Sequence, residues 1–138
     1  MLLICSCGGS NSAAPAQAQF ASQANAICAV ALRSAARLKT PKSAAELLPF
    51  SEQASSIVSK VVRELKGVTP PPDSRLAYNG FLMASAHEAR MLGELVQALR
   101  AGSTGRARSA LQALNSNAVN EEAKALGITE CARTVRPG

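Results

Sequence analysis

Apolar and polar positions along this chain follow one period, that of an α-helix, and no stretch alternates as a strand does. From Phe20 the apolar or small residues Phe20, Ala24, Ile27, Ala31, Ser34 and Leu38 recur three or four apart, one face of a helix. Pro41 ends it and pushes Thr40 out of the helical region. Ser43-Ala-Ala-Glu46 reads as a capping box for a second helix, whose stripe is Leu47, Phe50, Ala54, Ile57, Val61, Leu65 and Val68. Pro49 predicts a kink or a restart near its beginning.

Gly67 to Pro72 is a stop. Asp73 or Ser74 caps a third helix running to about Ala101. Its wide stripe of Leu76, Ala77, Phe81, Ala84, Met91, Leu95 and Leu99, flanked by Tyr78, Leu82, Leu92 and Val96, marks it as the most buried. Gly102 ends it and Ser103 caps a fourth helix. There Ala107, Leu111, Leu114, Ala118, Glu122 and Ala125 repeat, with one charged intruder, and Gly127 is the C-terminal cap. Four helices with short loops predict an all-α, antiparallel up-down-up-down four-helix bundle over residues 20–138. Alanines at the seams let helices approach closely, so Phe20, Phe50, Tyr78, Phe81 and the leucines are expected to fill the middle.

Composition strengthens the helical reading. Apolar residues make up 47 % of the 138 and aromatics only 3 %, so alanine and leucine, strong helix formers, supply the hydrophobic content. One domain of this size buries a sizeable core. The net charge of +6 favours anionic surroundings. The basic residues are scattered, with Arg37, Lys39 and Lys42 the nearest thing to a cluster. Without a basic stripe or stacking aromatics, no nucleic-acid partner is expected.

The first 19 residues read as an address followed by a flexible linker. Ile4, Cys5, Ser6 and Cys7 fill the places of a bacterial lipobox, with Cys7 the residue to be lipidated, and Gly8 to Gln19 is small and polar. A signal peptide also needs a basic start and a longer apolar run, and only Leu2, Leu3 and Ile4 stand here, so the true start is expected upstream of Met1. The rival reading takes Cys5 and Cys7 as a metal or redox pair, but no second Cys or His cluster completes such a site.

Two further cysteines fall in the folded part. In an up-down-up-down bundle the fourth helix ends near where the first begins, and a return through Ile128 and Thr129 could bring Cys131 to Cys28. A bridge requires Cα atoms about 4.4–6.8 Å apart and an oxidising compartment. The alternative is two buried free thiols in a cytosolic bundle.

Little else carries chemistry. His87 is the sole histidine. Neither the Glu-x-x-His of di-metal bundles nor His-Glu-x-x-His is complete, because Ala84 and Met91 stand where a Glu and a second His would be. No Gly-x-Ser-x-Gly elbow or phosphate-binding glycine loop occurs, and Gly102-Ser-Thr-Gly105 reads as a turn between helices. No catalytic, metal or cofactor site is expected.

The lipobox at Cys7, Ala24-Asn-Ala-Ile-Cys28, Pro70-Pro71-Pro72, Tyr78 with Phe81-Leu82, and Leu126-Gly-Ile-Thr-Glu-Cys131 together resemble small helical-bundle lipoproteins of actinobacterial-type cell envelopes. That resemblance covers nearly the whole chain. It implies a lipid-anchored location at the outer face of the cell membrane and a Cys28–Cys131 disulfide, and it implies no activity. The expectation is a non-catalytic envelope lipoprotein whose bundle binds a protein or an anionic envelope polymer. The alternative is a carrier that holds an apolar small ligand between its helices. A solid core would disfavour the carrier, and a continuous apolar pocket would favour it.

Overall fold

The structure, a computed structural model, describes residues 13–116 and 119–132. It is all-helical: α1 (Ala13–Ala35), α2 (Ala44–Leu65), α3 (Arg75–Arg100), α4 (Thr104–Asn115) and α5 (Val119–Ala125), with short 3-10 turns at Pro72–Ser74 and Thr129–Ala132. Among the described residues there is no strand. Neighbours in sequence pack antiparallel. Tyr78, at the start of α3, hydrogen-bonds Leu65 at the end of α2, while Arg100 at the end of α3 pairs with Glu52 near the start of α2. Arg106 on α4 pairs with Glu94 on α3 in the same sense.

The predicted linker is too long by about half. Residues 1–12, with Cys7, lie outside the described residues, but α1 begins at Ala13 and includes the stretch expected to be flexible. The reason is visible at Gln17. Its side-chain amide donates to the Leu126 carbonyl at 3.1 Å, and its carbonyl oxygen accepts from the Ser74 hydroxyl at 2.8 Å. One polar side chain thus ties the start of α1 to the start of α3 and the end of α5.

The capping box is also only half present. Ser43 sits in the extended conformation of an N-cap, but its side chain makes no cap bond. Glu46 instead accepts from the backbone N–H of Lys42, one residue earlier, at 2.7 Å. The helix runs unbroken through Pro49, which is exposed and lies in its second turn, so only one backbone bond is lost close to the frayed end. The two glycine caps hold as read. Gly102 (φ 66°) and Gly127 (φ 74°) both adopt the left-handed conformation. Each closes a Schellman motif: Ser103 N–H to Ala98 C=O and Gly102 N–H to Leu99 C=O, then Ile128 N–H to Ala123 C=O and Gly127 N–H to Lys124 C=O.

The fourth predicted helix is two elements, and their buried faces differ from the predicted stripe. Ala107 and Ala110 are buried on α4, and Val119, Ala123 and Leu126 are buried at and after α5, one residue later than Ala118, Glu122 and Ala125. The shift explains the charged intruder. Glu122 sits beside the interior stripe, where its carboxylate lies over Gly80, 3.9 Å from where a Cβ would be.

The interior comes in two pieces. The larger gathers Phe20, Ala24 and Cys28 of α1, Leu65 of α2, Tyr78 and Phe81 of α3, and Val119, Ala123, Leu126 and Ile128. Phe20 meets Tyr78 edge-on at 4.9 Å between ring centroids, and Tyr78 stacks with Phe81 at 5.8 Å. The smaller piece is Leu95 and Ala98 of α3 with Ala107 and Ala110 of α4, at the other end. Of the bulky residues expected to fill the middle, Phe20, Tyr78, Phe81, Leu65 and Leu95 are core. Three of the four aromatics sit at one end, and Phe50 is only half-buried. Among the described residues, no Cα of α1 comes within 8 Å of one of α4, so the fourth seam of the bundle stays open.

Candidate binding cleft

The open seam is an apolar cleft of about 280 Å³. Its walls combine the predicted helical stripes with neighbours outside them, Leu32, Ala35 and Val58. The α1 side supplies Ala31, Leu32, Ala35 and Leu38, and the α2 side Leu47, Phe50, Ala54, Ile57, Val58 and Val61. Leu92 and Leu95 of α3 with Leu111 and Leu114 of α4 form the opposite wall. The small residues Ala31, Ala35 and Ala54 stand where larger ones would have closed it. From Leu47 to Leu65 the α2 wall runs about 27 Å at the helical rise per residue. The volume is at the lower edge of the range for small-molecule sites, roughly 300–1,000 Å³.

One end of the cleft is shut. Ile128 is fully buried and turns the chain back after the Gly127 cap. The 3-10 turn that follows docks on α1, where the Glu130 N–H donates to the Asn25 side-chain oxygen at 3.0 Å. This return brings Cys131 to Cys28, and the two form a disulfide with Cα atoms 5.1 Å apart across 103 residues of sequence. Cys28, Cys131, Leu65 and Phe81 make the floor at this end.

Polar groups line the cleft sparsely. Ser85 is buried, with its hydroxyl donating to the Phe81 carbonyl at 2.8 Å. Ser51, one turn in from Leu47 on α2, is 1 % exposed and lines the cleft; no described residue accepts or donates a hydrogen bond to its hydroxyl. Glu88 of α3 and Asn120 of α5 stand on the wall away from α1 and α2, and Glu130 lies at the closed end beside Cys131. Burial pushes the Glu88 carboxyl above the ordinary carboxylate range. Burial likewise pushes the Tyr78 phenol up to about 12, and its hydroxyl donates to the Leu65 carbonyl at 2.7 Å.

The sequence reveals the helices that make the cleft and the Cys28–Cys131 bridge that shuts it, but apart from those two cysteines it marks no cleft residue as a site. His87 is half-buried on α3 and does not line the cleft; Arg90 donates to its Nδ1 at 3.1 Å. Among the described residues no three of His, Cys, Asp or Glu are grouped to hold a metal ion, and no helix is long and apolar enough to cross a membrane. Family models, curated proteins and solved structures offer no match to this chain.

Proposed function

We propose that this chain is a non-catalytic binding domain of the cell envelope that takes an apolar ligand into the cleft between its helices. The observation that carries the reading is the cleft itself, about 280 Å³ of continuous apolar wall in place of a packed seam. A bundle with no further role gains by closing such a seam, since buried apolar surface stabilises by roughly 25 cal/mol per Å². The disulfide fits an oxidising compartment, in keeping with export. In this reading Cys7 carries the lipid that holds the domain at the outer face of the membrane, and the residues that follow give it reach.

A partner protein or anionic envelope polymer is the second reading. It is favoured by Leu76 and Met83, two turns apart on α3, which are 86 % and 75 % exposed. The test of the first reading is titration of the oxidised domain with Nile red, a neutral apolar fluorophore. Saturable one-to-one binding that Ala54→Trp abolishes, with helicity and melting temperature kept, is the expected result. Binding indifferent to Ala54→Trp moves the site elsewhere and favours the second reading. For the tether, Cys7→Ala in the chain with its upstream codons should end lipid labelling and release the protein from membranes.

A further inference from the structure

The two ends of the cleft differ in charge as well as in closure, and the difference points to a class of ligand. The end away from the disulfide is formed by the α1–α2 and α3–α4 connections, where Leu38 and Leu47 line the cleft. Arg37 and Lys39 flank Leu38, Lys42 lies between the two helices, and all three are exposed. The carboxylates at this end are already engaged: Glu52 with Arg100, Glu94 with Arg106, and Glu46 with the Lys42 backbone N–H. No described carboxylate pairs with Arg33, Arg37, Lys39, Lys42 or Arg108. Just inside this rim Ser51 lines the cleft, and no described residue hydrogen-bonds its hydroxyl, which is open to a ligand oxygen.

Resting on the reading above, we propose that the cleft holds one alkyl chain of an anionic amphiphile. The chain lies along the α1–α2 wall toward the disulfide, and a carboxylate or phosphate head sits at the rim of Arg37, Lys39 and Lys42. Ser51 donates to an oxygen of the head. The shape supports a chain over a compact molecule, because the apolar wall is about 27 Å long while the whole volume is about 280 Å³. The floor of Cys28, Cys131, Leu65 and Phe81 is apolar, as the far end of an alkyl chain requires. Of the partly buried polar groups, Glu88 of α3 and Asn120 of α5 lie on the opposite wall, while Glu130 sits beside Cys131 at the closed end.

The experiment is displacement of Nile red from the oxidised domain by laurate, monolauroyl phosphate, dodecanol and dodecyltrimethylammonium below their micellar concentrations. These probes share a chain and differ in the head. Both anions should displace at about tenfold lower concentration than the cation, a difference of about 1.4 kcal/mol, and salt should narrow the gap. The triple variant Arg37→Gln, Lys39→Gln, Lys42→Gln should erase that preference and leave dodecanol unchanged, since all three side chains are exposed. Ser51→Ala should weaken both anions several-fold and dodecanol less. Equal displacement by all four overturns the anionic head while the apolar cleft stands. Stronger displacement by the cation overturns it too. Displacement by none of them, with Nile red still bound, overturns the alkyl chain. No saturable Nile red binding at all removes the underlying reading. A dimer that protects the cleft assigns the face to a second copy and overturns the proposal as well.

Discussion

At the disulfide end of this bundle five elements close on Phe20, Tyr78, Phe81 and Ile128, each no more than 2 % exposed; toward the other end the helices line an apolar cleft of about 280 Å³ beside the smaller core of Leu95, Ala98, Ala107 and Ala110. Both ends are built from stripes of the same period and nearly the same residue types. What separates them is volume and tethering. The closed end holds three of the four aromatics, a Schellman turn that drives Ile128 inward, and a covalent bridge from α1 to the chain's return. The open end has Phe50 and a set of alanines, and among the described residues no Cα of α1 lies within 8 Å of one of α4. A helical face that is apolar on paper buries only if its partner supplies atoms to meet it.

The sharpest way to break that comparison is to cut the bridge. A disulfide closing a loop of about 100 residues stabilises by up to about 4–5 kcal/mol in the chain-entropy picture, and less where the reduced state retains structure. Reduction, or Cys28→Ala with Cys131→Ala, should therefore lower the melting temperature by roughly 10–20 °C in a domain of this size. It should also free the end of α1 that forms the cleft floor, so Nile red affinity should fall with it. A fully reduced protein with an unchanged melting curve would show that packing alone holds the closed end.

Phenylalanine offers an internal control. Phe81 is 1 % exposed in the closed end, and Phe81→Ala should cost about 3–5 kcal/mol. Phe50 lines the cleft half-buried, and Phe50→Ala should cost only about 1 kcal/mol, in proportion to the smaller area it withdraws from water. Denaturant unfolding of the two variants reads the difference directly. Equal losses would mean that the cleft end is packed as tightly as the other.

Much of the closed end is legible in the sequence. Gly127, the apolar Ile128 after it, and cysteines placed within the first helix and after the end of the last point to the return and the bridge, because a left-handed glycine lets a helix end and fold back at once. The cleft is not legible, for a physical reason. Periodicity assigns a face to each helix but says nothing of the distance between faces, and alanine is compatible with close approach and with a gap alike. Ala31 and Ala54 read as tight seams and line the cleft instead. The Gln17 bonds were hidden for another reason: a polar linker composition gives no hint that one side chain will find two partners 57 and 109 residues away. The fourth helix misled through one residue of register, with Glu122 the visible sign that Glu122 and Ala125 were not its buried face.

A smaller effect tests the closed end from its polar side. Tyr78 donates to Leu65 C=O, which also accepts from the Val68 N–H, so Tyr78→Phe removes one bond without orphaning the carbonyl. The expected loss is about 0.5–1.5 kcal/mol, with the ring packing on Phe20 and Phe81 kept. Ultraviolet titration should find the Tyr78 phenol still neutral at pH values where an ordinary tyrosine is half ionised, since burial lifts it to about 12. A normal titration would mean that water reaches the closed end freely.

The finest test falls on the cleft wall, where Glu88 measures how dry an open seam can be. Burial raises its carboxyl above the ordinary 4.5 in the folded chain. Between that ordinary value and the raised one, the native state holds a proton the unfolded state has released. Native stability therefore falls as pH rises through the window, and the favourable contribution is complete only below the unfolded value. Glu88→Gln keeps the shape and removes the titration. Its melting temperature should match that of the parent near about pH 4 and exceed it at about pH 7, the gap opening across the window. The difference between the two proteins, not either curve alone, isolates this group, because the other carboxylates titrate in both. A gap that is constant with pH, or one that favours the parent at neutral pH, would mean that water in the open seam solvates Glu88 fully. The cleft would then be a wet groove, unable to hold an alkyl chain away from solvent.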